Sequence, residues 1–280
     1  METFFSFLER RVDDCSSLLC IGLDPHLADL QHPTPEAALD FCLSIVKETS
    51  TYAAAFKPNA AFFEYFGAEG WIALQKLISA IKAESQRLGS MIPVILDAKR
   101  GDIASTAEAY AKSAFEHLGA DCITLNPYLG KDSIDPFLKF PKKGAFLLCK
   151  TSNPGSDDLQ NLLVKNSEFS ENSGFSPLYI HVAQLAQSWN TANNIGLVVG
   201  ATQPEALAKV RAAAPDLWFL SPGVGAQGGD LATALKAGLR ADGKGMLINV
   251  SRSIARAESP KRAAAELRDE ILQVKNQLNF

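Results

Sequence analysis

The chain has 280 residues, 47% hydrophobic and 21% charged, with a net charge of -4 at pH 7, which is the composition of an ordinary globular chain long enough for one α/β barrel or two smaller domains. That charge gives no reason to expect nucleic acid as a partner, and no uncharged run approaches the roughly 18 to 20 residues of a membrane span. Five cysteines (Cys15, Cys20, Cys42, Cys122, Cys149) without C-x-x-C spacing and four histidines without an H-x-x-x-H pair read as buried reduced thiols with no announced metal site.

The N-terminal stretch METFFSFLERRVDD contains acidic residues and no cleavable signal pattern, so a cytoplasmic location is expected. From there, short apolar runs alternate with longer segments of helical periodicity. Strands are predicted at Leu18 to Asp24, Ala53 to Lys57, Met91 to Asp97, Asp121 to Leu125, Ala145 to Lys150, Ile195 to Val199, Leu217 to Ser221 and Gly245 to Val250. Helices are predicted at Pro35 to Ser50, Gly70 to Leu88, Thr106 to Leu118, Leu178 to Trp189, Gln203 to Ala213, Asp230 to Ala237 and Pro260 to Gln277. Eight β/α units imply parallel pairing with right-handed crossovers, and a closed (β/α)8 TIM barrel rather than an open sheet. No linker-like composition divides residues 1–280, so one domain is the economical reading. The aromatic stretch KPNAAFFEYFGAEG, Lys57 to Gly70, should pack near the barrel mouth. Asn153 to Pro177, polar and rich in Ser, Asn and Gly, reads as a mobile cover or a disordered insertion, and its place after the fifth strand favours the cover.

The stretch MIPVILDAKRGDIASTAEAY, Met91 to Tyr110, organises the rest. Its uncharged branched run reads as a strand buried on both faces, and its charges begin where that burial ends. If strand geometry persists, Asp97 and Lys99 leave the same face about 7 Å apart at the base. Gly101 permits a turn, Asp102 follows, and Ser105 with Glu108 fits a capping box that would start a helix near Thr106. A lone D-x-K-x-x-D is more often a set of solvated charges, but here it sits where parallel α/β folds carry their sites.

In a barrel the other strand ends converge on the same mouth. They bring Asp24, Lys57, Asn126, Thr151 with Ser152, Gly200, Gly223 to Gly229, and Ser251 with Arg252. Two lysines, two aspartates and an arginine share a cavity only by neutralising one another or a charged ligand, and the set suits a small polyanion. Asp24 and Lys57 would each be unremarkable alone; as members of this set they read as ligand contacts. Asn126, Lys150, Thr151 and Gly200 stay ambiguous. SPGVGAQGGD, Ser221 to Asp230, contains G-x-G-x-x-G, yet it follows a late strand and Pro222, which makes a dinucleotide fingerprint a weak reading. A phosphate cradle completed by Arg252 fits better.

LDAKRGDIASTAEAYA, together with GLDP, FKPN, TSNPG, PGVGAQGG and SRSI, resembles the orotidine 5'-phosphate decarboxylase family, in its longer bacterial branch, over nearly the whole chain. The resemblance implies conversion of orotidine 5'-monophosphate to UMP and carbon dioxide, with no metal or organic cofactor, by a homodimer with shared sites. It implies that Lys57, Asp97, Lys99 and Asp102 form the alternating charge network, with Lys99 the proton donor to C6 and Asp102 reaching into the partner's site. Thr106 would follow Asp102 to the ribose, and Asp24 would bind ribose from its own subunit. Ser152 would meet the pyrimidine, while Gln227 and Arg252, with Pro222 and Ser251 beside them, would complete the substrate contacts. The long segment after Pro154 departs from the family's pattern, so no base or lid contacts carry over there. A magnesium-dependent decarboxylase or aldolase of sugar phosphates on the same barrel shares D-x-K-x-x-D and is the nearest alternative; a non-catalytic nucleotide-binding protein is a more distant one, because binding alone does not require alternating buried charges.

Overall fold

The computed structural model describes residues 2–165, 174–224 and 229–280. Five strands, β1 (Leu19–Leu23), β2 (Ala55–Pro58), β3 (Ile95–Arg100), β4 (Cys122–Leu125) and β5 (Gly144–Lys150), are followed by a small antiparallel hairpin of β6 (Leu163–Lys165) and β7 (Phe175–Pro177). Then come β8 (Ile195–Val199), β9 (Phe219–Pro222) and β10 (Met246–Val250). Apart from the hairpin, the strands form one parallel sheet in the order β2-β1-β10-β9-β8-β5-β4-β3. Its two edges meet through single bridges, Phe56 to Val94 and Asn59 to Asp97. The result is a (β/α)8 TIM barrel, and β1, β4 and β8 are buried along their whole length, as strands covered on both faces must be.

Helix α1 (Phe4–Cys15) precedes the barrel, α2 (Pro35–Thr49) follows β1, and α3 (Ala60–Glu64) with α4 (Gly67–Leu88) follows β2. After β3 comes α5 (Ala104–Lys112), after β4 the single turn α6 (Asp135–Leu138), and after β5 α7 (Asp157–Gln160) and α8 (Leu178–Trp189). The last three units carry α9 (Pro204–Ala213), α10 (Leu231–Gly238), and α11 (Arg252–Ala255) with α12 (Pro260–Gln277). The termini obey local chemistry. Thr34 and Ser259 accept from the first-turn amides of Ala37 and Arg262, each with proline at the first helical position, which is where a missing N–H costs nothing.

The structure departs from several of these expectations. The third strand, expected over Met91 to Asp97, runs over Ile95–Arg100, starting four residues later and ending three residues later, and its pairing with β4 shifts register between Leu96 and Arg100. Lys99 takes φ +47°, so strand geometry does not persist from Asp97 to Lys99. The capping box is absent: α5 starts at Ala104 with no side-chain cap. Asp102 Oδ1 accepts from the Ile103 amide at 2.8 Å and Ala104 sits at φ +48°, turning the chain before Ser105, which is left inside the first turn where it cannot cap. Glu108 instead pairs with Lys139 at 3.1 Å. The segment Asn153 to Pro177, expected as a mobile cover or a disordered insertion, holds α7 and the hairpin, while its residues 166–173 lie outside the described residues. Finally, α1 was not anticipated; its Phe4 and Phe5 are buried, with the Phe5 ring 5.5 Å from Phe146 and 6.4 Å from Trp218.

All five cysteines are buried and unpaired. No helix among the described residues is long and apolar enough to cross a membrane.

Candidate active site

At the C-terminal ends of β2, β3 and β4, one carboxylate holds two ammonium groups. Asp97 Oδ2 accepts from Lys57 Nζ at 2.8 Å, and Asp97 Oδ1 accepts from Lys99 Nζ at 2.6 Å and from Thr124 Oγ1 at 2.9 Å. Lys57 and Asp97 are 5% and 8% exposed, whereas half of the Lys99 side chain faces solvent. Burial would raise the Asp97 carboxyl, but the charges and hydrogen bonds of Lys57 and Lys99 outweigh it and hold the group well below the usual carboxylate range. Burial would likewise lower the Lys57 ammonium; the charges of Asp97 and then Asp24 reverse this and keep it above its ordinary value. Of the two cations that share this carboxylate, Lys57 is sealed in the interior and Lys99 is the one half open to solvent.

The local backbone explains how Lys99 gets there. The register shift in β3 places residue 99 in the left-handed region, a conformation that costs a side-chain-bearing residue about 1–2 kcal/mol. Thr124 secures it, since its Oγ1 accepts from the amides of Ala98 and Lys99 at 3.0 and 2.9 Å while donating to Asp97. Sequence reasoning missed Thr124. Threonine is common in strands for packing alone, so its place one residue before the end of β4 was the sole available signal.

A second cluster lies at the ends of β1, β9 and β10. Asp24 Oδ1, Ser221 Oγ, Asn249 Oδ1 and Ser251 Oγ are buried without a hydrogen-bond partner among the described residues. Four such groups gathered at neighbouring strand ends offer hydrogen-bonding capacity that a polar ligand can use. Asp24, Pro222, Asn249, Ser251 and Arg252 line a cavity of about 110 Å³. Arg252 is exposed and makes no ion pair with the described residues. Gly223, at φ +106°, opens the glycine-rich turn, and its carbonyl accepts from the Gly229 amide at 3.1 Å, with a Cβ on Gly229 falling 2.7 Å from that oxygen. Gln227, with Gly225 and Gly228, lies outside the described residues.

The remaining candidates divide. Ser152 is half-buried against Gly200, where a Cβ would meet the Ser152 Cβ at 3.1 Å. Asp102 makes no ion pair with Lys99 within the chain, and Thr106 is exposed on the first turn of α5; a single chain does not bring either to the charge network. Asn126 caps the turn after β4, accepting from the Tyr128 amide at 3.0 Å. The expected aromatic packing near the mouth is partly met: Phe62 lies edge-on to His26 at 4.4 Å, while Tyr65 is 66% exposed. Among the described residues, no group of three or more His, Cys, Asp or Glu gathers as metal ligands would.

Comparison with known proteins bears on this arrangement. A family model described as orotidine 5'-phosphate decarboxylase / HUMPS matches residues 17–267. The orotidine 5'-phosphate decarboxylase of Roseiflexus sp. (strain RS-1) is 49% identical over 267 residues, covering 94% of this chain and 92% of its own. Among solved structures, OMP decarboxylase from Leishmania donovani superposes with a TM-score of 0.85 at 53% identity, covering 98% of both chains. The UMP synthase of the same organism gives 0.87 at 54% identity, covering 98% of this chain; this chain spans 57% of that longer one.

Proposed function

Because the chain belongs to the orotidine 5'-phosphate decarboxylase / HUMPS family, we propose that it decarboxylates orotidine 5'-monophosphate to UMP, with Lys99 as proton donor, as a cytoplasmic homodimer of single-domain chains that needs no cofactor. The bond from C6 to the carboxylate breaks, its electron pair stays on C6, and carbon dioxide departs. No carbonyl is placed as a simple electron sink for that pair, so fixed positive charge must stabilise it. Lys99 supplies that charge and then passes a proton to C6, which completes UMP and leaves a neutral amine to be reprotonated from water.

The observation that carries this reading is Asp97 held between Lys57 and Lys99 at 2.8 and 2.6 Å. A preset network of this kind spends no reorganisation when charge develops. Asp102 of a second copy would complete the grip on Lys99, and Thr106 beside it would reach the ribose. Asp24, with an unsatisfied oxygen, suits a ribose hydroxyl from its own subunit. Arg252, with Pro222, Ser251 and Gln227, suits the phosphate end, and Ser152 the pyrimidine. Contacts far from C6 supply binding energy that is realised in the transition state.

A magnesium-dependent sugar-phosphate decarboxylase or aldolase is not favoured, since the relatives matched along the whole chain carry the decarboxylase name. The test is the loss of orotidine 5'-monophosphate absorbance with purified protein in excess chelator. Turnover should persist undiminished; activity that vanishes with chelator and returns with magnesium would overturn the proposal.

A further inference from the structure

Lys150 ends β5 and is 1% exposed, yet the chemistry above gives it no task. A buried ammonium is tolerated only when paired, and its partners among the described residues all come from the segment that follows. Lys150 Nζ donates to Asp157 Oδ1 at 2.7 Å and to Ser156 Oγ at 3.3 Å, and lies 5.7 Å from the centre of the Tyr179 ring. A second tie runs parallel to the first. Gln160 Oε1 accepts from the Thr151 amide at 2.9 Å, and Gln160 Nε2 donates to Thr151 Oγ1 at 2.8 Å. Thr151 Oγ1 in turn donates to Asn153 Oδ1 at 2.7 Å. Both ends of α7 are therefore fastened back onto residues 150 and 151, and the chain between the fastenings contains Ser152, seated against Gly200.

We infer that Lys150, through Asp157 and in concert with Gln160, is a positioning residue that fixes the Ser152 backbone for contact with the pyrimidine. This rests on the proposed reading of the site, in which Ser152 meets the base. Among the described residues, neither tie touches the proposed charge network or the phosphate end, so loosening them changes recognition of the base and leaves the ribose phosphate contacts standing.

The test compares two probes, UMP and ribose 5-phosphate, which lacks the base, on Asp157→Asn, Lys150→Met and Gln160→Ala. UMP affinity is expected to fall about tenfold, the loss of a well-placed hydrogen bond, while ribose 5-phosphate affinity stays within about twofold. Asp157→Glu is expected to recover most of the loss. If Lys150→Met fails to fold, the partly exposed Asp157 and Gln160 still give the comparison. A parallel loss for both probes, or no loss for either, would overturn the inference. Wild-type protein that binds ribose 5-phosphate but neither binds UMP nor consumes orotidine 5'-monophosphate would instead overturn the reading of the site, and this inference with it.

Discussion

Lys99 joins two demands that conflict. Its backbone at φ +47° carries a penalty that glycine would escape, yet in the proposed reaction it is the lysine side chain that supplies the proton. Lys99→Ala should therefore fold normally and lose at least about 10³-fold in turnover, whereas Lys99→Gly should be equally inactive but about 1 kcal/mol more stable than Lys99→Ala. Urea denaturation beside the absorbance assay checks both, and near-normal turnover by either variant would refute the role of Lys99. Asp97 makes the complementary case. Removing its charge strands the buried Lys57 ammonium, so Asp97→Asn should cost about 3–5 kcal/mol. The folded Asp97 carboxyl is depressed, so its contribution is present above the unfolded value near 3.8 and is lost as pH falls through the lower, folded one. The folded Lys57 is raised, so its contribution is complete below its unfolded value near 10.5 and fades only at higher pH. The stability gap between wild type and Asp97→Asn should thus be widest at about pH 5 to 7, narrow below about pH 4 as Asp97 protonates, and narrow again on the alkaline side as the stranded Lys57 of the variant gives up its proton early; a gap that persists unchanged in acid would contradict the ion-pair geometry. Lys57, Asp97 and Lys99 were legible because charged residues at the ends of apolar runs are conspicuous. Thr124 and the Lys150 to Asp157 pair were not, because a threonine in a strand and a lysine closing one have ordinary explanations that only the folded arrangement sets aside.

At the scale of elements, α1 closes the end of the barrel away from the charge network. Phe4 is packed so closely that a Cβ on Gly144 would lie 2.4 Å from its ring, and Phe5 lies among Phe146 and Trp218. Phe5→Ala should cost about 3–5 kcal/mol through the cavity it leaves while turnover of the folded fraction stays near the wild-type value; denaturation and steady-state assays on the same sample decide this, and a proportionate fall in turnover would tie the plug to the site. The spacing of Phe4, Phe5, Leu8 and Val12 is compatible with a helix, but docking onto a barrel base is a tertiary event with no local signature. The start of α5 eluded prediction for a related reason: a capping box is a local pattern, and the turn imposed by Asp102 and Ala104 overrides it. By contrast, α8 and α12 run over Leu178–Trp189 and Pro260–Gln277 as expected, since each begins at a proline-marked boundary and keeps one apolar face.

For the molecule as a whole, the eight parallel strands were legible because strands buried on both faces read as continuous apolar runs. Gly101 packs against the Asn126 carbonyl, where a Cβ would fall 2.9 Å away, so the loops after β3 and β4 adjoin. They leave Ile103, Tyr128 and Leu129 at 53%, 78% and 48% exposure beside Asp102, an apolar surface suited to a second copy. In a twofold dimer with shared sites, mixing Asp102→Ala chains with Lys99→Ala chains should restore up to about a quarter of wild-type activity, since half the dimers are mixed and each holds one complete site. Mixed dimers verified by native mass spectrometry that stay inactive would rule out sharing. The sealed thiols offer a further use. Burial raises all five, Cys20 to about 12, so the reactive thiolate scarcely exists while the chain stays folded. An alkylating reagent added to the native protein must wait for the barrel to come apart, and the mass it adds with time becomes a built-in stopwatch for spontaneous opening, with no denaturant and no engineered probe.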